Sequence, residues 1–252
     1  MHYNTLMLNL LWVLSLGWML GGVVNYLSDV LPHSRRLSFP ICHACQEERS
    51  WYAVFWPGGC QACGAKPAVR HWLVQNVSVL MLISLWFYPP DRLGFIGAVI
   101  WGTYFLIVVV IDVEHRLILH PISMVGAVMG IAYGVYMHGI WSTLLGGIAG
   151  FGAMLFLYYL GALFLKILIR IRGEETDEVP LGFGDVNLAG VIGLLLGWPG
   201  ITAGLLLAIL IGGVVSLIYL LVMLAMKRYQ AYTALPYGPF LVASAVILLF
   251  FT

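Results

Sequence analysis

From Gly94 to Ile111 the chain carries neither a charge nor a proline, and runs of that kind recur along its whole length. A stretch so apolar has to leave water, and about 20 such residues cross a bilayer as a helix. With 62% hydrophobic and 9% charged residues among 252, there is too little polar side-chain surface to clothe a water-soluble domain. The runs place membrane spans near residues 8–28, 72–88, 94–112, 118–138, 143–166, 184–198, 200–226 and 235–251. They are continuous and Leu-rich without strict alternation, which favours helices over a closed β-barrel. The expected architecture is an all-α polytopic membrane protein with about eight transmembrane helices.

The N-terminal run starts at Met1-His2-Tyr3-Asn4 without a basic leader and stays apolar to Leu27 without a small-residue cleavage site, so it reads as a retained span. Three parts follow: a first transmembrane helix (1–31), a four-cysteine loop (32–71) and a seven-helix core (72–252). The spans at 184–198 and 200–226 are divided only by Trp198-Pro199-Gly200, a turn signal where the pattern needs a reversal.

Lys and Arg accumulate on the cytoplasmic side of membrane proteins. With both termini outside, the inside segments collect 11 of the 12 basic residues, Arg92 in the Pro89-Pro90-Asp91-Arg92 turn being the exception. A formal net charge of +1 leaves no broad basic face, which sets nucleic-acid binding aside. The expected partners are lipid and whatever the chain acts on; nothing in the sequence sets an oligomeric state.

Two acids stand out at span ends: Asp112 closes the run from Gly94, and Asp185 ends Gly182-Phe183-Gly184-Asp185. Ionisable groups at membrane depth are costly and mark function. A pair of carboxylates is also the minimum equipment for aspartic peptide cleavage, since one takes a proton from water while the other, kept protonated, polarises the carbonyl. Glycines 182 and 184 let backbone come close to a substrate strand. The plain alternatives are a helix N-cap for Asp185 and a solvated helix end beside Glu114, His115 and Arg116 for Asp112.

Cys42-His43-Ala44-Cys45 and Cys60-Gln61-Ala62-Cys63 are two C-x-x-C pairs that use every cysteine in the chain. The spacing is close to a zinc ribbon, which predicts a closed structural zinc site on Cys42, Cys45, Cys60 and Cys63 in a small cytoplasmic loop. Disulfides are the competing explanation, and the reducing cytosol argues against them. Four thiols leave no need for His43 or His71 as ligands. The acidic stretch Glu174, Glu175, Asp177, Glu178 is a solvated run that would also attract a basic segment.

Ile111-Asp112 with Leu119-His120-Pro121, Gly182-Phe183-Gly184-Asp185-Val186, and Leu235-Pro236-Tyr237-Gly238-Pro239-Phe240 together resemble the type IV prepilin peptidase family. Gly21-Gly22-Val23-Val24-Asn25 through Leu31-Pro32 is similar to that family's N-terminal stretch. The resemblance implies a bacterial inner-membrane aspartic endopeptidase, with Asp112 and Asp185 as the catalytic carboxylates. They would cut the short basic leader from prepilins or pseudopilins at the cytoplasmic face. It also places Gly182, Gly184, Pro236 and Gly238 near the substrate. The family often methylates the new N-terminus from S-adenosylmethionine, and the four-cysteine loop looks like the region associated with that activity.

The chain departs from the family pattern at Asn187, where a Lys is usual, at His120, where Ile precedes the proline, and at Gln75, where a Glu is usual. A presenilin-like intramembrane peptidase, which shares Gly-x-Gly-Asp, is the rival among enzymes. A transporter scaffold or an inactive homologue is the rival outside them.

Overall fold

The computed structural model describes residues 2–42, 44–50, 52–56, 58–172, 181–227 and 236–250. Among them the chain is all-helical: α1 His2–Ser34, α2 Tyr52–Phe55, α3 Val69–Phe87, α4 Gly94–His115, α5 His120–Arg172, α6 Phe183–Leu196, α7 Gly200–Ala225 and α8 Gly238–Phe250. Four stretches, Leu10–Ser34, Gly94–His115, His120–Ile167 and Gly200–Ala225, are long and apolar enough to cross a membrane. Helix α3 forms where a span is expected but is less apolar, because Arg70, His71, Gln75 and Asn76 lie in it. Helix α5 breaks at Gly139, whose φ of 81° and ψ of 165° are not helical, close to the expected boundary between 138 and 143.

The chain divides into two compact units, Met1–Ile111 and Asp112–Thr252. In the first, α1 packs on α3, with Val24, Val74 and Val110 at the centre of one cluster and Tyr26, Val30 and Val54 of another. The helix pair is also pinned by polar side chains. Asp29 pairs with Arg70 and lies 3.0 Å from His71 Nε2, and Asn25 Nδ2 donates to the His71 carbonyl at 3.1 Å. Trp18 Nε1 donates to the Phe55 carbonyl at 2.7 Å, which ties α2 to α1.

In the second unit α6 lies against α5 with backbone facing backbone. A Cβ on Gly146 would strike the Gly193 carbonyl, one on Gly193 would strike the Gly146 carbonyl, and one on Gly150 would strike the Ala189 carbonyl. Small residues let helices approach this closely in lipid, where packing replaces the hydrophobic effect as the driving force. The Gly139 break is fastened to the turn after α6: Ser142 Oγ donates to the Trp198 carbonyl at 2.7 Å and the Trp198 amide to the Ser142 carbonyl at 2.9 Å. His138 Nε2 sits 3.0 Å from the Leu195 carbonyl.

Helices α6 and α8 are short, 14 and 13 residues, whereas α7 has 26. At 1.5 Å per residue that is roughly 20 Å against roughly 39 Å. The ring of Phe240, in the first turn of α8, meets Gly212 at the middle of α7. Helix α8 therefore begins partway along its neighbour instead of level with its end.

Replacing Gly193 by Val should force the α5 and α6 backbones apart and cost roughly 1–3 kcal/mol. Gly152→Ala, on open space in α5, should be neutral or slightly stabilising. Thermal unfolding of both variants in detergent checks the difference.

Candidate active site and cysteine cluster

Asp112 occupies the last turn of α4, where Arg116, at a φ of 51°, ends the helix by donating its amide to the Asp112 carbonyl at 2.8 Å. Asp185 is in the first turn of α6. Gly182, in extended conformation, is the N-cap, so Asp185 stands three residues inside and reaches back to accept the Gly182 amide at 3.3 Å. The plain alternative of Asp185 as the N-cap itself is thereby replaced: its carboxylate serves the cap from within the helix.

Both acids are buried, at 4% exposure for Asp112 and 7% for Asp185. The second unit brings them together, and Asp112 is the charged group whose field reaches Asp185. Asp112 Oδ2 and Asp185 Oδ1 have no hydrogen-bond partner among the described residues. Buried carboxyl oxygens are rarely left so, and such orphans concentrate where a protein does chemistry.

The surroundings are backbone and one aliphatic side chain. Asp112 Oδ2 lies over Gly238, so closely that a Cβ there would be 2.5 Å from it. Ile118 wedges between the glycines of both motifs: its Cβ would be 2.6 Å from a Cβ on Gly184, and its Cδ1 3.4 Å from one on Gly238. Each carboxylate thus meets the start of a helix, Asp185 that of α6 and Asp112 that of α8. A helix N-terminus carries about half a positive charge in unsatisfied amides.

Gly182 is exposed, Gly184 is held against Ile118, and Pro236 and Tyr237 are half-buried at the entry to α8. Tyr237 was quoted in the sequence only as part of a motif. In the structure its ring packs on Phe240 and over Gly212 of α7, contacts for which the sequence carries no signal beyond its place before Gly238.

His120 and Asn187 belong to a different surface. Positions 185 and 187 point to nearly opposite sides of α6, and Asn187 joins His120 and Ser123 on a cavity of about 490 Å3 whose remaining walls are mostly apolar. His120 stacks on Phe183 at 6.4 Å. Gln75 is fully buried, donating to the Trp18 carbonyl and facing Asn25 at 3.4 Å, a neutral cross-link between α1 and α3. The acidic stretch Glu174, Glu175, Asp177, Glu178 and His43 lie outside the described residues.

The first unit gathers Cys42, Cys45, Cys60 and Cys63 so that their sulfurs lie within 4.8 Å of one another, a group able to hold a metal ion. Two matching knuckles do this. The Cys42 amide donates to Glu47 and the Cys60 amide to Ala65, while Gln46 and Gly64, both at positive φ, donate back to Cys42 and Cys60. Cys42 Sγ is 3.8 Å from Cys63 Sγ, and Cys45 Sγ is 3.7 Å from Cys60 Sγ. Four thiolates ~2.3 Å from a tetrahedral ion stand ~3.8 Å apart. The amides of Cys45 and Ala44 hold the Cys42 thiol down at about 6, and those of Cys63 and Ala62 lower Cys60 in the same way. Cys45 goes the other way, up to about 12: the Glu47 amide pulls it down, but burial and the three neighbouring thiols outweigh that pull; a metal ion relieves such crowding by taking all four as thiolates. His71 is paired with Asp29 and is absent from the cluster.

Residues 99–217 match the type IV leader peptidase family. Among curated proteins the chain is 28% identical over 224 residues to a prepilin leader peptidase/N-methyltransferase of Stutzerimonas stutzeri, covering 84% of this chain and 69% of that protein. Proteins of the same name match from Legionella pneumophila, at 28% over 77% of this chain and 63% of the relative, and from Pseudomonas aeruginosa, at 26% over 76% and 62%. The chain spans about two thirds of the length of these relatives. No solved structure matches it.

A Cβ at position 238 has nowhere to go but into the Asp112 carboxylate. Gly238→Ala should therefore cost roughly 1–3 kcal/mol in thermal unfolding. Combining it with Asp112→Ala should recover most of that loss, a coupling that a double-mutant cycle measures.

Proposed function

We propose that this chain, which belongs to the type IV leader peptidase family, is an aspartic endopeptidase of the bacterial inner membrane that removes the short basic leader of prepilins or pseudopilins. The observation that carries this is the pair Asp112 and Asp185: two buried carboxyls in mutual reach, each with an oxygen lacking a partner among the described residues. Such a pair does not ionise twice at neutral pH, because like charges in one dry site repel. The ionised member takes a proton from water as its oxygen attacks the scissile carbonyl carbon. The protonated member donates to the carbonyl oxygen, and as the tetrahedral intermediate collapses the leaving nitrogen receives a proton from the pair.

Substrate geometry suits the arrangement. The break in α5 at Gly139 allows a reading with eight spans, in which, with both termini outside, the aspartate end of the second unit would face the cytoplasm. A leader retained in the cytoplasm and joined to an apolar helix presents its junction there. Gly182, exposed at the start of α6, and Pro236, half-buried before α8, would flank the strand being cut.

The four thiols take a structural zinc. Their sulfur spacing and tetrahedral count suit that ion, which would close two turns that bury little apolar mass of their own. S-adenosylmethionine is the cofactor implied by the second half of the relatives' names. A cavity of about 500 Å3 beside the second knuckle is lined by Glu47, Glu48, Tyr52 and Trp56. Aromatic faces and carboxylates of this kind fit an adenine and a sulfonium cation. These residues would hold the cofactor, which supplies the methyl group.

Asp112→Asn and Asp185→Asn should each lower cleavage of a co-expressed prepilin by about a hundredfold to ten-thousandfold while the protein stays in the membrane fraction. Processing at the wild-type rate by either variant would overturn the assignment. The mass of the new N-terminus, with or without one added methyl group, reports the second activity. Elemental analysis should find one zinc per chain in reduced protein, lost in Cys42→Ser and Cys60→Ser; absence of zinc from freshly purified protein rejects the metal.

A further inference from the structure

Helix α5 starts beside the start of α6, where His120 stacks on Phe183, and reaches the other end of α6 at His138, 3.0 Å from the Leu195 carbonyl. After the Gly139 break it returns, and Gly150 faces the Ala189 carbonyl on the way back. The two halves of α5 and the length of α6 border the cavity of about 490 Å3. Its polar lining is confined to one end, with His120 and Ser123 in the first turn of α5 and Asn187 near the start of α6. From Asn187 to Leu194, roughly 10 Å along α6, the other walls include Gly147, Ile148, Gly190 and Val191. Met124 and Ile148 on the margin are exposed, so the cavity opens sideways, to where lipid chains lie.

The polar end is unsatisfied. Ser123 Oγ donates to the Leu119 carbonyl at 3.4 Å, but the His120 imidazole and the Asn187 amide have no hydrogen-bond partner among the described residues. His120 is nonetheless held in place: its stacking partner Phe183 is itself in edge contact with Phe151 at 6.5 Å and Tyr158 at 6.0 Å. Hydrocarbon offers such groups nothing, so polar side chains facing it mark a polar ligand. Both side chains are donors, and an imidazole can add a positive charge. No Asp or Glu lines the cavity, since Asp185 leaves α6 on the other side. The end therefore suits an anion and has no partner for an ammonium. Asn187 stands where a Lys is usual and His120 where an Ile is usual, so the basic group has moved across this cavity from α6 to α5.

We propose that the cavity binds an anionic phospholipid whose headgroup carries no ammonium. Its phosphate accepts hydrogen bonds from His120 and Asn187, and its acyl chains lie against Ile148, Gly190 and Val191. A bare phosphate would fill only the polar end. In a bilayer the chains gain little beyond packing by entering, so the headgroup contacts decide which lipid stays. The site is on the side of α6 away from Asp185 and stands or falls independently of the peptidase.

The test uses the full chain in phosphatidylcholine vesicles holding a trace of phosphatidylglycerol with a photoreactive group on one acyl chain. Labelled peptides should contain Met124, Ile148 or Val191, with a yield about tenfold above that from a phosphatidylcholine carrying the same group. His120→Phe keeps the stack on Phe183 and Asn187→Leu keeps the size. Each should lower the phosphatidylglycerol yield by about threefold to tenfold and leave the phosphatidylcholine yield unchanged. Gly152→Leu, where a Cβ meets open space, should fill the cavity and abolish labelling with both polar groups intact. Water-soluble glycerol phosphate should not compete.

Equal labelling by the two lipids overturns the site, as does an undiminished preference for phosphatidylglycerol in His120→Phe and Asn187→Leu, or full labelling of Gly152→Leu. Displacement of the probe by glycerol phosphate overturns it in favour of a phosphate site without lipid. Displacement by an uncut prepilin overturns it in favour of a seat for the substrate's apolar helix.

Discussion

Bare backbone against bare backbone is the contact on which the second unit depends. Gly146 and Gly150 on α5 and Gly193 on α6 each face a main-chain carbonyl of the neighbouring helix across a gap with no space for a methyl group. A lipid solvent offers no hydrophobic drive to press helices together, so closeness itself must supply the attraction, through dispersion contacts that fall away steeply with distance. The consequence reaches the other end of α6. Because this helix is clamped along most of its 14 residues, its first turn, and Asp185 with it, has little freedom to drift from α5.

Placing two acids in such a setting is expensive, and the fold offsets the cost with helix ends instead of with counter-charges. No Lys or Arg is paired with Asp112 or Asp185 among the described residues. The short lengths of α6 and α8 bring two sets of free amides to the same place. Partial charges of this kind are fixed in direction and cannot neutralise a carboxylate by proton transfer. Ile118, wedged between Gly184 and Gly238, spaces the two helix starts and excludes water from one side.

The helices were legible from apolar run length alone, because lipid leaves a chain few other ways to satisfy its backbone. The break near residue 139 was legible too, from a gap between two runs, although the residue at fault, Gly139, announces nothing by itself among 29 glycines. The thiol cluster was readable from spacing, since tight turns fix where sulfurs point. Three things were not. The shortness of α6 was visible in the run from 184 to 198, but the level at which α8 starts against α7 depends on packing, and composition does not encode it. The sides of α6 taken by Asp185 and Asn187 follow from helical angle, yet what each side meets follows only from packing. The neighbourhood of Tyr237 arises because Gly212 is twelve residues into α7, a distance the sequence shows without saying that α8 begins there.

At the end of the second unit away from the aspartates, the connections have almost no slack. The Gly139 break and the Gly197-to-Pro199 turn are each a few residues long and are stitched to one another by Ser142 and Trp198. Stitched in this way, the far ends of α5 and α6 act as a fixed pivot, and a displacement along either helix is passed on to the other.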